Sequence, residues 1–370
     1  MEHGSTASTE TRIAKALMAA LFLLTAVRAA LLSVTPPEAA MYNQFVGPGP
    51  RDALAANWVN APVLYALLAR LSTSAFHLTD LSLRLPSLLA AMLYFSVAWR
   101  LSTRLFGRNW LMLTAITFLT LNPFVLDDLA VATGAGLGLA FWLWAVEFIL
   151  AKRFHWAGVC AALSLCASFS FLLPAALLAF FVPRRQLLPE FGLRAMVTAF
   201  LVLVIPFNHA RIGPIRFSRM AAMEQPALFL IPVLAFGVLR LVQCFRQNPS
   251  PIGAIVFAGL SLLDFRPQRY SSWPEYAGGR TAIKAIRQAA GPKPVRIFAS
   301  PALDAVLEFY RARYALGFWS KAEAGPADYY LLFPRDDREI LQHRLHVVWQ
   351  DAHLTVARPG SEPPGSAPRP

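Results

Sequence analysis

Eight long apolar stretches, separated by short charged turns, constrain this chain more than any other feature. They run from Ile13 to Val34, Leu83 to Leu105, Leu111 to Leu126, Ala130 to Leu150, Ala157 to Val182, Leu193 to Phe207, Pro226 to Phe245 and Pro251 to Leu263. An apolar helix of about 20 residues matches the thickness of a bilayer, and several of these runs reach that length. Hydrophobic residues make up 56% of the chain and charged residues only 15%. That combination excludes an ordinary soluble globular protein. The first run follows Arg12 and Lys15 as a signal peptide would. It has no small-residue cleavage site at its end and further apolar runs follow it, so it reads as a retained first span.

The charges are unevenly spread. Residues 1 to 264 carry 19 Lys and Arg and 11 Asp and Glu, while residues 265 to 370 carry 15 and 10 in far fewer positions. The chain therefore divides into a membrane domain (1–264), a soluble domain (265–359) and a tail rich in Pro, Gly and Ser (360–370) that reads as disordered. The net charge of +13 has no dense basic run behind it, and nucleic-acid binding would need one. A membrane protein acquires such a surplus through its cytoplasmic loops. Cys160, Cys166 and Cys244 lie in apolar stretches and read as small buried hydrophobes.

Two segments are not simple spans. Trp156 to Val182 has basic pairs at both ends, Lys152 with Arg153 and Arg184 with Arg185, and a serine-rich middle, so it reads as two short helices that enter and return. Pro62 to Leu78 is interrupted by Arg70, Ser72 and Ser74 and reads as an interfacial helix. The fold class that follows is a polytopic α-helical membrane protein with about nine helices through or into the membrane. A cytoplasmic N-terminus collects 12 of the 19 basic residues on that side and 7 of the 11 acids on the other. The C-terminal domain is then expected outside, in the periplasm or its equivalent. In that domain, helices over Pro274 to Ala290, Leu303 to Tyr310 and Asp336 to Leu345 alternate with strands at Val295 to Ala299, Asp328 to Phe333, His346 to Trp349 and Leu354 to Ala357. Such alternation predicts a small α/β layer. No glycine-rich phosphate loop follows either of the first two strands.

Chemistry-bearing residues cluster in the loops assigned to the outer side. The first, Thr35 to Asn60, holds Glu38, Tyr42 and Asn60. A carboxylate just beyond a span can act as general base on an acceptor hydroxyl, or it can simply begin a helix after Pro36 and Pro37. The second loop holds Asp127 and Asp128 after Asn122 and Pro123, before a helix start rich in Gly (Gly134, Gly136, Gly138). Two adjacent carboxylates can bind a divalent cation or a basic acceptor, or serve as first-turn acids at a helix dipole. The third loop holds Arg211, Arg216 and Arg219, on the side where positive charge is otherwise sparse. Arginine forks suit a phosphate or pyrophosphate, with lipid head groups and Glu224 as the structural alternatives.

Taken together, residues 12 to 210 resemble a GT-C type membrane glycosyltransferase of the bacterial group related to protein O-mannosyltransferases and aminoarabinose transferases. The resemblance is carried by Leu83-Arg84-Leu85-Pro86-Ser87, by Arg104-Leu105-Phe106-Gly107-Arg108 one apolar span later, and by Asn122-Pro123 at the end of the next span. The family's first loop usually opens Asp-Glu-Ala-Tyr-Tyr, with the Asp as catalytic carboxylate. Here the stretch is Pro37-Glu38-Ala39-Ala40-Met41-Tyr42, so Glu38 is the nearby acid, and Asn60-Ala61-Pro62-Val63 stands where the family has His-Pro-Pro-Leu. The resemblance implies transfer of a sugar, with inversion, from a polyprenyl-phosphate donor to a lipid, glycan or protein acceptor on the outer face. Glu38 would be the base or the acceptor-orienting acid, Asp127 or Asp128 a second acid, and Arg211, Arg216 and Arg219 the phosphate ligands. A divalent cation is a possible cofactor, and no nucleic acid is expected as partner. The competing readings are a family member that binds a lipid-linked glycan without catalysis, and a transporter or flippase of polyprenyl-linked substrates.

Overall fold

The computed structural model describes residues 3–47, 62–204, 258–259, 273–322, 326–334 and 345–360. These residues fall into two units: Met1–Leu32 with Gln44–Ser272, and Ser33–Asn43 with Trp273–Pro370. The runs 226–245 and, except for 258–259, 251–263 lie outside the described residues, as do Asn60, Arg211, Arg216, Arg219 and the stretch 336–344 that the sequence assigned to a helix.

The first unit is helical. Its helices are α1 (His3–Leu31), then, past the segment that belongs to the second unit (α2, Pro36–Met41), α3 (Val63–Phe76), α4 (Asp80–Phe106), α5 (Trp110–Thr120), α6 (Pro123–Ala130), α7 (Ala135–Leu150), α8 (Phe154–Ala167), α9 (Leu172–Leu178) and α10 (Leu193–Val204). Helix α4 is central and packs against α1, α3, α5, α6 and α7. Among the described residues, Thr9–Leu31 and α4 are long and apolar enough to cross a membrane, and α5 with α6 forms a third candidate bent by 58°. Helices α3, α7 and α8 and the stretch Phe169–Phe181 are apolar but shorter. Helix α3 falls in the run read as interfacial, and α8 with Phe169–Phe181 in the run read as two short helices. Helix α7 occupies the run Ala130 to Leu150, read from the sequence as a long apolar stretch, and is shorter than expected because the first five residues of that run lie outside the helix.

Local sequence explains the breaks. The run Leu111 to Leu126 is split because Asn122 accepts a hydrogen bond from the Phe124 amide through its side chain, while Pro123 takes the first helical position, where its missing N–H is not needed. Helix α8 ends at Ser168, which is extended (φ −158°, ψ 126°). The chain then turns through Phe169–Phe181 and returns: the Phe191 carbonyl lies so close to Gly158, in the first turns of α8, that a Cβ there would sit 2.2 Å from it. This is the pair of short helices that the flanking basic pairs predicted.

Pro86 lies inside α4 and cannot donate to the Ser82 carbonyl. The Ser72 hydroxyl of α3 fills that place at 2.6 Å. Arg104, near the end of α4, makes a two-pronged contact with the buried Glu147 of α7, Nε to Oε2 at 2.9 Å and Nη2 to Oε1 at 2.8 Å, and Gly107 closes the helix at φ 72°. Each half of the Arg-Leu-Phe-Gly-Arg motif thus has a structural job.

The second unit contains a five-stranded sheet. Its elements are α11 (Gly279–Ala290), β1 (Arg296–Ala299), α12 (Asp304–Arg313), β2 (Ser320–Lys321), β3 (Tyr329–Leu332), β4 (Leu345–Gln350) and β5 (Thr355–Pro359). The order is β2-β1-β3-β5-β4. β1 is parallel to both β2 and β3, while β5 is antiparallel to β3 and β4. Ala282, Ile283, Ile286 and Ala290 recur at three-to-four spacing and are buried on α11, which packs on α12, β4 and β5. The expected α/β layer is present. Strand β2 is the element the sequence reading lacked, because two exposed residues carry no apolar pattern.

Gly136 is where packing is tightest around the adjacent acids: a Cβ there would lie 2.4 Å from the Asp128 carbonyl oxygen. Gly136→Ala should therefore displace the end of α6 and lower stability by about 1–3 kcal/mol, although alanine is the better helix former. Thermal unfolding in detergent checks this, and an unchanged or raised midpoint would refute it.

Candidate functional site

In the first unit the acids sit at the end of α6. Asp127 and Asp128 are the fifth and sixth residues of this eight-residue helix, with no acid in its first turn. A helix dipole disfavours negative charge at that end, so the alternative of first-turn acids does not apply. What stabilises Asp127 is Arg28, in the last turn of α1. Its Nη2 lies 2.6 Å from Asp127 Oδ1, with the two side chains 2% and 1% exposed. Asp128 has no such partner: among the described residues its carboxylate accepts no hydrogen bond, and the residue is 7% exposed. The adjacent acids are therefore not equivalent, as expected for neighbours that diverge by about 100° around a helix.

Arg84, in the Leu-Arg-Leu-Pro-Ser motif, is fully buried. Its Nη1 donates to the carbonyls of Ala29 at 2.9 Å and Leu32 at 2.8 Å. Those carbonyls belong to the end of α1, where helical acceptors lack N–H partners and the dipole is negative. Ser87 of the same motif donates to the Val131 carbonyl, just past Asp128, at 2.8 Å. Ser87 also shares a hydrogen bond of 2.7 Å with the Tyr65 hydroxyl of α3, which lies 3.1 Å from the Leu83 carbonyl. One turn of α4 thus fixes both the end of α1 and the end of α6.

Glu38 belongs to the second unit. It is the third residue of α2, fully buried, and its Oε2 accepts from the Thr35 amide at 2.7 Å and the Thr35 hydroxyl at 3.0 Å. This is the reciprocal arrangement of a capping box, with proline at the first turn. Tyr42 follows α2 and sets its ring edge-on to Phe309 of α12, with centroids 5.2 Å apart. Burial raises its phenol above the ordinary value of 10.0, so it is neutral at physiological pH.

Sequence reasoning picked out Glu38, Tyr42, Asp127 and Asp128 and passed over Arg28. The signal for Arg28 was available: it is a charged residue deep in an apolar run, a position that demands a partner. Among the described residues no group of three or more His, Cys, Asp or Glu side chains is placed to hold a metal ion.

No protein-family model matches the chain, and no curated protein matches it. Among solved structures the chain is similar to ArnT from Cupriavidus metallidurans bound to undecaprenyl phosphate, with 12% identity and a TM-score of 0.49. It is also similar to the same protein in the apo state, with 12% identity and a TM-score of 0.48. Both alignments cover 94% of this chain and 99% of that one.

Removing either partner of the Arg28–Asp127 pair strands a buried charge. Arg28→Met and Asp127→Asn should each cost roughly 3–5 kcal/mol, and the double variant clearly less than their sum. Unfolding midpoints of the four proteins check this. Additive losses would mean that the pair is not coupled.

Proposed function

We propose that this protein is an integral-membrane glycosyltransferase that moves a sugar from a polyprenyl-phosphate donor to a lipid, glycan or protein acceptor at the outer face of a bacterial inner membrane. The observation that carries the reading is the unequal state of three buried carboxylates. Glu38 is engaged by Thr35 and Asp127 by Arg28, whereas Asp128 keeps a small exposure and accepts no hydrogen bond from the described residues. A general base needs a lone pair free to take a proton and a setting that fixes its direction. Asp128 meets the first condition, and the Ser87 bond to Val131 and the tight approach of Gly136 supply the second.

In this reading Asp128 accepts the proton of the acceptor hydroxyl as that oxygen attacks the anomeric carbon. The bond from the anomeric carbon to the phosphate oxygen breaks, and polyprenyl phosphate leaves with both electrons of that bond. The Asp127–Arg28 pair sits beside the base as a neutral unit. Glu38 is kept as the acceptor-orienting acid, acting through the short helix whose start it fixes. Arg211, Arg216 and Arg219 are assigned to the departing phosphate on chemical grounds, because guanidinium forks match phosphate oxygens, and Asn60 is assigned to the substrate. Tyr42 lines the acceptor side as a neutral phenol. The C-terminal unit and the segment around Glu38 lie on the outer side.

With the full-length protein in nanodiscs and a set of polyprenyl-phosphate sugars, Asp128→Asn should lower the turnover number by about 100-fold or more, the worth of a positioned base. Asp128→Asn at full activity overturns the assignment. Movement of polyprenyl-linked lipid across the bilayer with no sugar transferred would favour a flippase instead. Among the described residues no three His, Cys, Asp or Glu side chains converge to hold a metal ion, and divalent ions take several oxygen ligands. Transfer should therefore survive EDTA, and restoration of a lost activity by Mg²⁺ or Mn²⁺ would contradict this.

A further inference from the structure

The segment Ser33–Asn43 is built into the α/β unit at both of its ends. At the first end, the Ser33 hydroxyl donates to the Ala277 carbonyl at 2.7 Å and accepts from the Arg280 amide at 3.0 Å. It thereby serves the first turn of α11 as a cap supplied from far along the chain. The next residue donates its amide to the Tyr310 hydroxyl of α12 at 3.2 Å. At the other end Tyr42 packs on Phe309, and Asn43 Nδ2 donates to the Ala305 carbonyl at 2.9 Å. Between these anchors stands α2 with its buried Glu38.

A six-residue helix has no stability of its own, because a nucleus costs more than so few hydrogen bonds return. Its order must come from what it packs against, and within this unit that is α12. The anchoring atoms are also poorly replaceable by water: Tyr310 and Phe309 are fully buried, and Tyr310 continues the ring contacts from Phe309 to Tyr314.

We propose that the α/β unit holds the Glu38 segment in its working conformation, with Tyr310 as the positioning residue at one end and Asn43 at the other. The proposal deepens the glycosyltransferase reading and rests on it, in that the Glu38 segment is taken to orient the acceptor. The C-terminal unit is then part of the machinery for orienting an acceptor, not an appended binding module.

The test uses full-length protein in nanodiscs, with Tyr310→Phe, which keeps the ring and removes only the acceptor oxygen, Asn43→Ala, and Lys284→Ala as a control on the exposed face of α11. Hydrogen exchange is followed at the amides of residues 33–43. Tyr310→Phe should speed exchange at Val34 by about fivefold and Asn43→Ala should loosen the opposite end similarly, the worth of one hydrogen bond each. Both should lower the turnover number for sugar transfer and leave the donor KM unchanged, whereas Lys284→Ala should move none of these. Unchanged exchange in both variants overturns the proposal, as does an equal loss of turnover in the control. Exchange is measurable in a protein that transfers no sugar. Faster exchange in Tyr310→Phe beside a wild type that transfers no sugar would therefore sink the glycosyltransferase reading while sparing the holding role of Tyr310.

Discussion

Two guanidinium groups buried among apolar helices set the terms for the first unit. A charge taken out of water must be compensated where it stands, and the two are compensated differently. Arg28 meets a carboxylate, Asp127, on another helix. Arg84 meets the two carbonyls that α1 leaves unbonded at its end, where a positive group suits the helix dipole. Because both compensations converge on the last turns of α1, that helix cannot slide or rotate without uncovering a charge. The geometry of the adjacent acids follows from this: Asp127 is committed, and Asp128 is left over on the neighbouring face of the same short helix.

How far this was legible in the sequence depended on the kind of pattern involved. Apolar runs and flanking basic pairs foretold α4, α7 and the returning pair formed by α8 and Phe169–Phe181, because lipid-facing or buried helices write their length and ends into composition. The alternation of the C-terminal region foretold the α/β layer. The fate of each acid was not legible. Glu38, Asp127 and Asp128 are the same chemistry in similar surroundings, yet one caps its own helix, one pairs with a residue 99 positions earlier, and one stands without a hydrogen bond from the described residues. The helix start at Glu38 is local, and Pro36 and Pro37 point to it, but the reciprocal bonding with Thr35 appears only in the structure. The Arg28 pairing is long-range, and no local spacing announces it.

The motifs behind the family resemblance acquire physical content in the same way. Arg84 binds the end of α1, Pro86 leaves the Ser82 carbonyl open to Ser72 of α3, and Ser87 binds the turn after Asp128. None of these three presents a reactive group. They are a scaffold, so the motif carries information about packing and none about the acids of the first loop.

The second unit is discontinuous in the chain, and this has a consequence for how the protein is made. Ser33 must wait for Ala277, 244 positions later, and Val34 for Tyr310, 276 positions later. Contacts of such separation form late, after the intervening chain exists to close the loop. During synthesis, then, the helices between them are complete while the segment carrying Glu38 still has nothing to fold against. The carboxylate becomes ordered only when the last hundred residues have arrived, so the chain reaches the membrane before it acquires the arrangement on which its chemistry would depend.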